Sequence, residues 1–131
     1  MRAAMPVRVL VVDDHRGTAA SIAAALADLG CSVLSVFNGA EALSQAPEFR
    51  PELILLDIAL PDTDGYTIAR SIRGSPWGRD VTLVAVTGVG QEEDLRKSNE
   101  AGFDRHLMKP VQFSELEELV DIRTFLRSIG R

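Results

Sequence analysis

Hydrophobic positions fall in short unbroken runs separated by helical patterns, and this alternation repeats from one end of the chain to the other. Val7 to Val12 reads as a strand. Arg16 to Leu29 carries Ile22, Ala25, Leu26 and Leu29 at helical spacing, with Gly30 as its stop. Cys31 to Phe37 is short and β-branched, which predicts a second strand, and Ala40 to Ala46 a short helix with Pro47 near its end. Glu52 to Leu56 is apolar after its first residue, a third strand. Pro61-Asp62-Thr63-Asp64-Gly65 is loop chemistry, and Ile68, Ala69 and Ile72 place a helix over Tyr66 to Arg73. Gly74 to Asp80 reads as a loop holding Trp77, Val81 to Val86 as the fourth strand, and Gln91 to Ala101 as a helix capped by Gly102. His106 to Met108 is a short fifth strand. Ser114 to Ile129 is the last helix, with Ser114 and Glu117 at capping-box spacing.

Five strands, each followed by a helix, predict a parallel sheet covered on both faces, because strands buried on both sides read as continuous apolar runs. With 131 residues the expectation is one domain, 1–131, with a core over about 7–129. A net charge of −5 argues weakly against direct nucleic-acid binding, which normally uses a basic patch. No apolar stretch reaches the roughly 18 residues of a membrane helix, and the first residues lack a signal-peptide core, so a cytoplasmic setting is expected. Cys31, the one cysteine, reads as a small buried strand residue.

In open parallel sheets, sites form beyond the carboxyl ends of the strands. Asp13 and Asp14 follow the first strand, Asp57 the third, Thr87 the fourth and Lys109 the fifth. Three gathered carboxylates repel one another unless a cation intervenes. Magnesium prefers oxygen and takes one or two carboxylates directly, leaving a carboxylate able to attack phosphorus and form an acyl phosphate. An ammonium and a hydroxyl would then hold the phosphoryl oxygens.

Val9-Leu10-Val11-Val12-Asp13-Asp14-His15, the stretch from Leu55 through Asp57 and Pro61 to Gly65, Val86-Thr87-Gly88 and Leu107-Met108-Lys109-Pro110 together resemble the receiver domains of two-component response regulators. The resemblance implies a flavodoxin-like (βα)5 three-layer sandwich with strand order 2-1-3-4-5. It implies Asp57 as phosphoacceptor, and Asp13, Asp14, Asp57 and the backbone carbonyl of Ala59 as Mg2+ ligands. Lys109 and Thr87 would contact the phosphoryl group, Thr87 and His106 would form the switch, and the Lys109-Pro110 bond would be cis. It implies a histidine kinase or histidine phosphotransfer protein as donor. The output would be a downstream protein partner or attached kinase domains, reached through the fourth helix, fifth strand and fifth helix. The chain is expected to be a monomer or weak dimer, without membrane contact.

Other readings compete. The stretches Val86 to Gln91 and Gly102 to Val111 resemble receivers attached to hybrid sensor kinases, whereas Met1 and the end after the last helix favour a stand-alone regulator. A Mg-dependent aspartyl-phosphate phosphohydrolase would need an acid/base two residues after its nucleophile, where Ala59 stands. A pseudo-receiver would not need the five-residue set. Ala59 and Val89, the positions that tune phosphoryl lifetime in the family, cannot orient a water, which implies slow self-dephosphorylation. Asp62 and Asp64 are expected to shape their loop, His15 to line the pocket entrance and Trp77 to pack its loop.

Overall fold

The computed structural model describes residues 5–88 and 95–130. Five strands, β1 (Arg8–Val12), β2 (Ser32–Val36), β3 (Leu53–Asp57), β4 (Thr82–Thr87) and β5 (Arg105–Met108), form one sheet in the order β2-β1-β3-β4-β5. Every pairing is parallel. The helices are α1 (Arg16–Asp28), α2 (Gly39–Phe49), α3 (Gly65–Arg73), α4 (Leu95–Ala101) and α5 (Phe113–Ser128), with a 3-10 turn at Pro76–Gly78. This is the flavodoxin-like sandwich implied by the strand-end motifs.

Strand residues alternate between two cores, as the two-residue side-chain period requires. Leu10, Val12, Ile54, Leu56, Leu83 and Ala85 pack with Ala42 and Ala46 of α2 and Ile68 and Ile72 of α3. Their neighbours Val9, Val11, Leu53, Leu55, Val84 and Val86 pack with Ile22 and Leu26 of α1 and Leu116 and Leu119 of α5. Both sheet faces are therefore dry. This explains why β1, β3 and β4 lack polar alternation.

Several boundaries differ from the sequence reading. The second helix runs past Pro47 to Phe49, although proline removes an N–H and crowds the carbonyl four residues earlier. It ends at Arg50, which takes a left-handed φ of 56° and donates its N–H to Ala46 O. Cys31 precedes β2 and is half-buried, not a strand residue; burial raises its thiol pKa, with Glu52 adding to the effect. The expected helix over Gln91 to Ala101 is described from Leu95, residues 91–94 lying outside the described part. The last helix starts at Phe113 and is capped by Gln112 and Glu115, not by Ser114 and Glu117: Gln112 N–H donates to Glu115 Oε1 at 2.9 Å. Trp77 is half-buried in the 3-10 turn and packs on the α2/α3 core.

Candidate functional site

Strand register assembles the site. Val12 pairs with Leu56, so Asp13 and Asp57 emerge side by side beyond the ends of those pairs. Asp57 pairs with Val86 and Thr87 with Met108, which brings Thr87 and then Lys109 to the same edge. Asp13, Asp57 and Thr87 are buried, whereas Asp14 is exposed.

Lys109 Nζ lies 2.8 Å from Asp13 Oδ2 and 3.0 Å from Asp57 Oδ2. The other oxygen of each aspartate is held by its own loop. Asp57 Oδ1 accepts the Ala59 N–H at 2.9 Å, and Asp13 Oδ1 accepts the His15 N–H at 2.9 Å. Burial raises the Asp57 pKa; the Ala59 N–H and Lys109 oppose this, and the nearby Asp13 charge adds to it. Burial by itself would lower the Lys109 pKa, but the two aspartates outweigh it and raise the value, keeping the ammonium charged. One cation thus serves two buried carboxylates and leaves negative charge over.

Asp13, Asp14 and Asp57 each offer a carboxylate oxygen, and these atoms lie within 4.8 Å of one another. An all-oxygen donor set with one exposed member suits a hard divalent ion that keeps some of its water. The residues therefore fit magnesium. The Lys109–Pro110 bond is cis. Thr87 Oγ1 donates to Leu107 O at 3.5 Å, a long contact that a better acceptor would displace. His106 is half-buried, its ring 6.2 Å from that of Phe103. Its Nε2 is buried with no hydrogen-bond partner among the described residues.

Residues around the site have jobs the sequence left open. His15, expected at the pocket entrance, is the N-cap of α1, its Nδ1 accepting the Thr18 N–H at 3.0 Å. Asp64 caps α3 by accepting the Thr67 N–H at 2.8 Å. Asp62 accepts the N–H groups of Gly39 and Ala40 at 2.8 and 2.9 Å, tying the β3–α3 loop to the start of α2. Those two N–H groups hold its carboxyl below the usual range. Both aspartates shape the loop as expected. The Asp62 link escaped the sequence reading, because only the fold brings residues so distant together. Val89 lies outside the described residues.

The geometry agrees with the relatives of the chain. The family model for the response regulator receiver domain matches residues 9–121. An uncharacterized 14.6 kDa protein of Leptolyngbya boryana is 36% identical over 112 residues, covering 86% of each chain. Response regulator MprA of Mycobacterium tuberculosis is 35% identical over 123 residues, covering 94% of this chain and 52% of its own length. This chain therefore spans about half of that regulator. Among solved structures, the receiver domain of the sensor histidine kinase PA1611 from Pseudomonas aeruginosa has a magnesium ion in its active-site cleft. It is 32% identical with a TM-score of 0.81, covering 90% of this chain and 97% of that one. Strand order, strand-end residues and sequence agree: the chain belongs to the response regulator receiver domain family.

Proposed function

We propose that this receiver takes a phosphoryl group onto Asp57 from the phosphohistidine of a histidine kinase or phosphotransfer protein, in the presence of Mg2+, and thereby switches a partner-binding face. The observation that carries this reading is the bridge from Lys109 to both Asp13 and Asp57, with Asp14 near enough to complete an oxygen site.

The Asp57 oxygen now facing Lys109 would attack phosphorus. A P–O bond forms, the P–N bond to the donor imidazole breaks, and the imidazole leaves with the electron pair and takes up a proton. Magnesium, held by Asp13, Asp14, Asp57 and the Ala59 carbonyl, would neutralise charge on the phosphoryl oxygens. Lys109 stays charged and turns from carboxylate to phosphoryl oxygen. Thr87 exchanges its long bond to Leu107 O for a phosphoryl oxygen. His106, whose buried Nε2 is unsatisfied among the described residues, follows the threonine inward. Such a step biases an existing equilibrium between two arrangements. The exposed Met108 of β5 and Phe125 of α5 suit a face that meets a protein partner.

Ala59 offers no acid or base beside Asp57, so phosphoryl release is slow and a turnover phosphohydrolase is disfavoured. Likeness to the receiver of a sensor kinase favours a second arrangement, in which this module is joined to kinase domains; the chemistry at Asp57 is the same. One domain spanning about 7–129, working in the cytoplasm as a monomer or weak dimer, belongs to the same proposal.

The test is intact mass after incubation with magnesium and acetyl phosphate. One phosphoryl adduct, absent from Asp57→Asn, is expected. Absence of any adduct would refute the reading, and rapid multiple turnover of the donor would favour the hydrolase.

A further inference from the structure

A cavity of about 520 Å3 opens at the end of the sheet away from the aspartates, where β1, β3 and β4 begin. Its apolar lining is the half-buried Trp77 with Pro47, Pro51 and Pro76. The rest of the lining is charged. Arg8, Arg50 and Arg123 line it, and Arg127 adjoins through Glu52.

The charges here do not balance. Glu52 faces Arg8 at 3.5 Å and Arg123 at 3.8 Å and also binds Arg127. Asp80 is the other carboxylate of the lining. Three guanidinium groups of the lining, Arg8, Arg50 and Arg123, thus meet two carboxylates, in a chain whose net charge is −5. Arg123 is only 4% exposed. It donates to Asp80 O and Thr82 Oγ1, and burial lowers its pKa despite Glu52. The excess of positive charge that remains raises the local concentration of anions.

Arg50, which ends α2, belongs to the same lining. It is the one non-glycine residue with positive φ among the described residues, and its carbonyl accepts Arg8 Nε–H at 2.7 Å. That conformation is somewhat costly for a residue with a Cβ. A helix end of this shape would ordinarily take glycine. An arginine here adds an exposed cation to the lining.

The geometry points to a binding site for a small organic anion with a planar ring, the ring lying against Trp77 and the prolines and a phosphate or carboxylate against Arg8 and Arg50. The volume suits a molecule of the size of a nucleoside monophosphate. The site stands apart from the Asp57 cluster and does not depend on the phosphoacceptor reading.

Trp77 is the sole tryptophan, so its emission reports directly on the cavity. The full chain, kept in chelator so that no metal gathers phosphate at the aspartates, is titrated with AMP, adenosine and inorganic phosphate, with excitation at the red edge of indole absorption. AMP is expected to change Trp77 emission saturably with a midpoint below about 1 mM. Adenosine and phosphate should each bind about tenfold more weakly, each lacking one half of the recognition. Arg50→Gly should weaken AMP about tenfold. Glycine adopts the positive φ freely, so that loss cannot be assigned to misfolding, and an unchanged melting curve confirms it. No saturable response to AMP would overturn the proposal. Equal binding of adenosine, equal binding of phosphate, or full affinity in Arg50→Gly would each overturn it as well.

Discussion

Lys109 and Asp57 are in direct contact, Nζ to Oδ2 at 3.0 Å, and the same ammonium reaches Asp13 at 2.8 Å. The lysine therefore occupies the carboxylate edge that a divalent ion would share. Lys109→Ala leaves two buried carboxylates without their cation. In chelator the variant should lose about 2 kcal/mol, less than a fully enclosed pair because the site is open on one side. Saturating magnesium should restore it, since a ligand that binds only the folded state stabilises that state. Thermal melts with and without metal measure both. A magnesium-induced rise in Tm no larger than that of the parent chain would contradict the shared-edge picture.

Glu52 anchors the opposite end of the sheet, bound to Arg127 of α5 and close to Arg8 and Arg123. Burial alone would raise its pKa; Arg127 and Arg8 outweigh burial and lower it. A carboxylate whose folded pKa is depressed adds stability that is complete above its unfolded pKa, about 4.3. That stability fades as pH falls through the lower folded value. Glu52→Gln should therefore cost about 2 kcal/mol at neutral pH. It should also flatten the acid limb of a stability profile below about pH 4.3. Urea melts at pH 7 and pH 3 test this, and equal losses at the two pH values would rule it out.

These two ends of the sheet were unequally legible in the sequence. Asp13, Asp57, Thr87 and Lys109 each follow an apolar run, and a parallel sheet brings such positions to one edge whatever the loops do. Nothing comparable marks Glu52. Its partners Arg8 and Arg127 lie 44 and 75 residues away, and each alone reads as an ordinary surface charge. The Asp62 link to α2 was hidden for the same reason, since it crosses 23 residues to backbone N–H groups. The misplaced cap of α5 has a different origin. Gln112–Glu115 and Ser114–Glu117 share the same spacing. Phe113 opens the helix although it is 48% exposed, so apolar periodicity could not fix the first turn.

Ala59 sits beside Asp57, its N–H bonded to Asp57 Oδ1 at 2.9 Å. Its side chain is exposed and cannot position an attacking water. Ala59→Asn places an amide there without disturbing the backbone bond. Decay of the phosphoryl adduct should quicken by roughly tenfold, less than a true general base supplies because an amide orients water without taking its proton. Intact-mass time courses after removal of the donor measure the rate, and an unchanged half-life would show that water access is set elsewhere.

Gly65 lets α3 start directly against the end of β3. Its N–H donates to Ile58 O at 2.8 Å. A Cβ at this position would lie 2.8 Å from Ile58 Cα and 2.9 Å from Asp57 O. Both are backbone atoms of the segment that bears Asp57, so neither can rotate away. Gly65→Ala must push the β3–α3 loop outward, which should cost about 1–3 kcal/mol and weaken magnesium-induced stabilisation by moving Ala59. Gly74→Ala, at the other end of the same helix, is the comparison. Its φ of −75° suits alanine and its nearest contact is 3.4 Å. Melts of both variants with and without magnesium separate the effects: Gly74→Ala should match the parent chain, and a Gly65→Ala variant with an unaltered metal response would show that the loop adapts without disturbing the site.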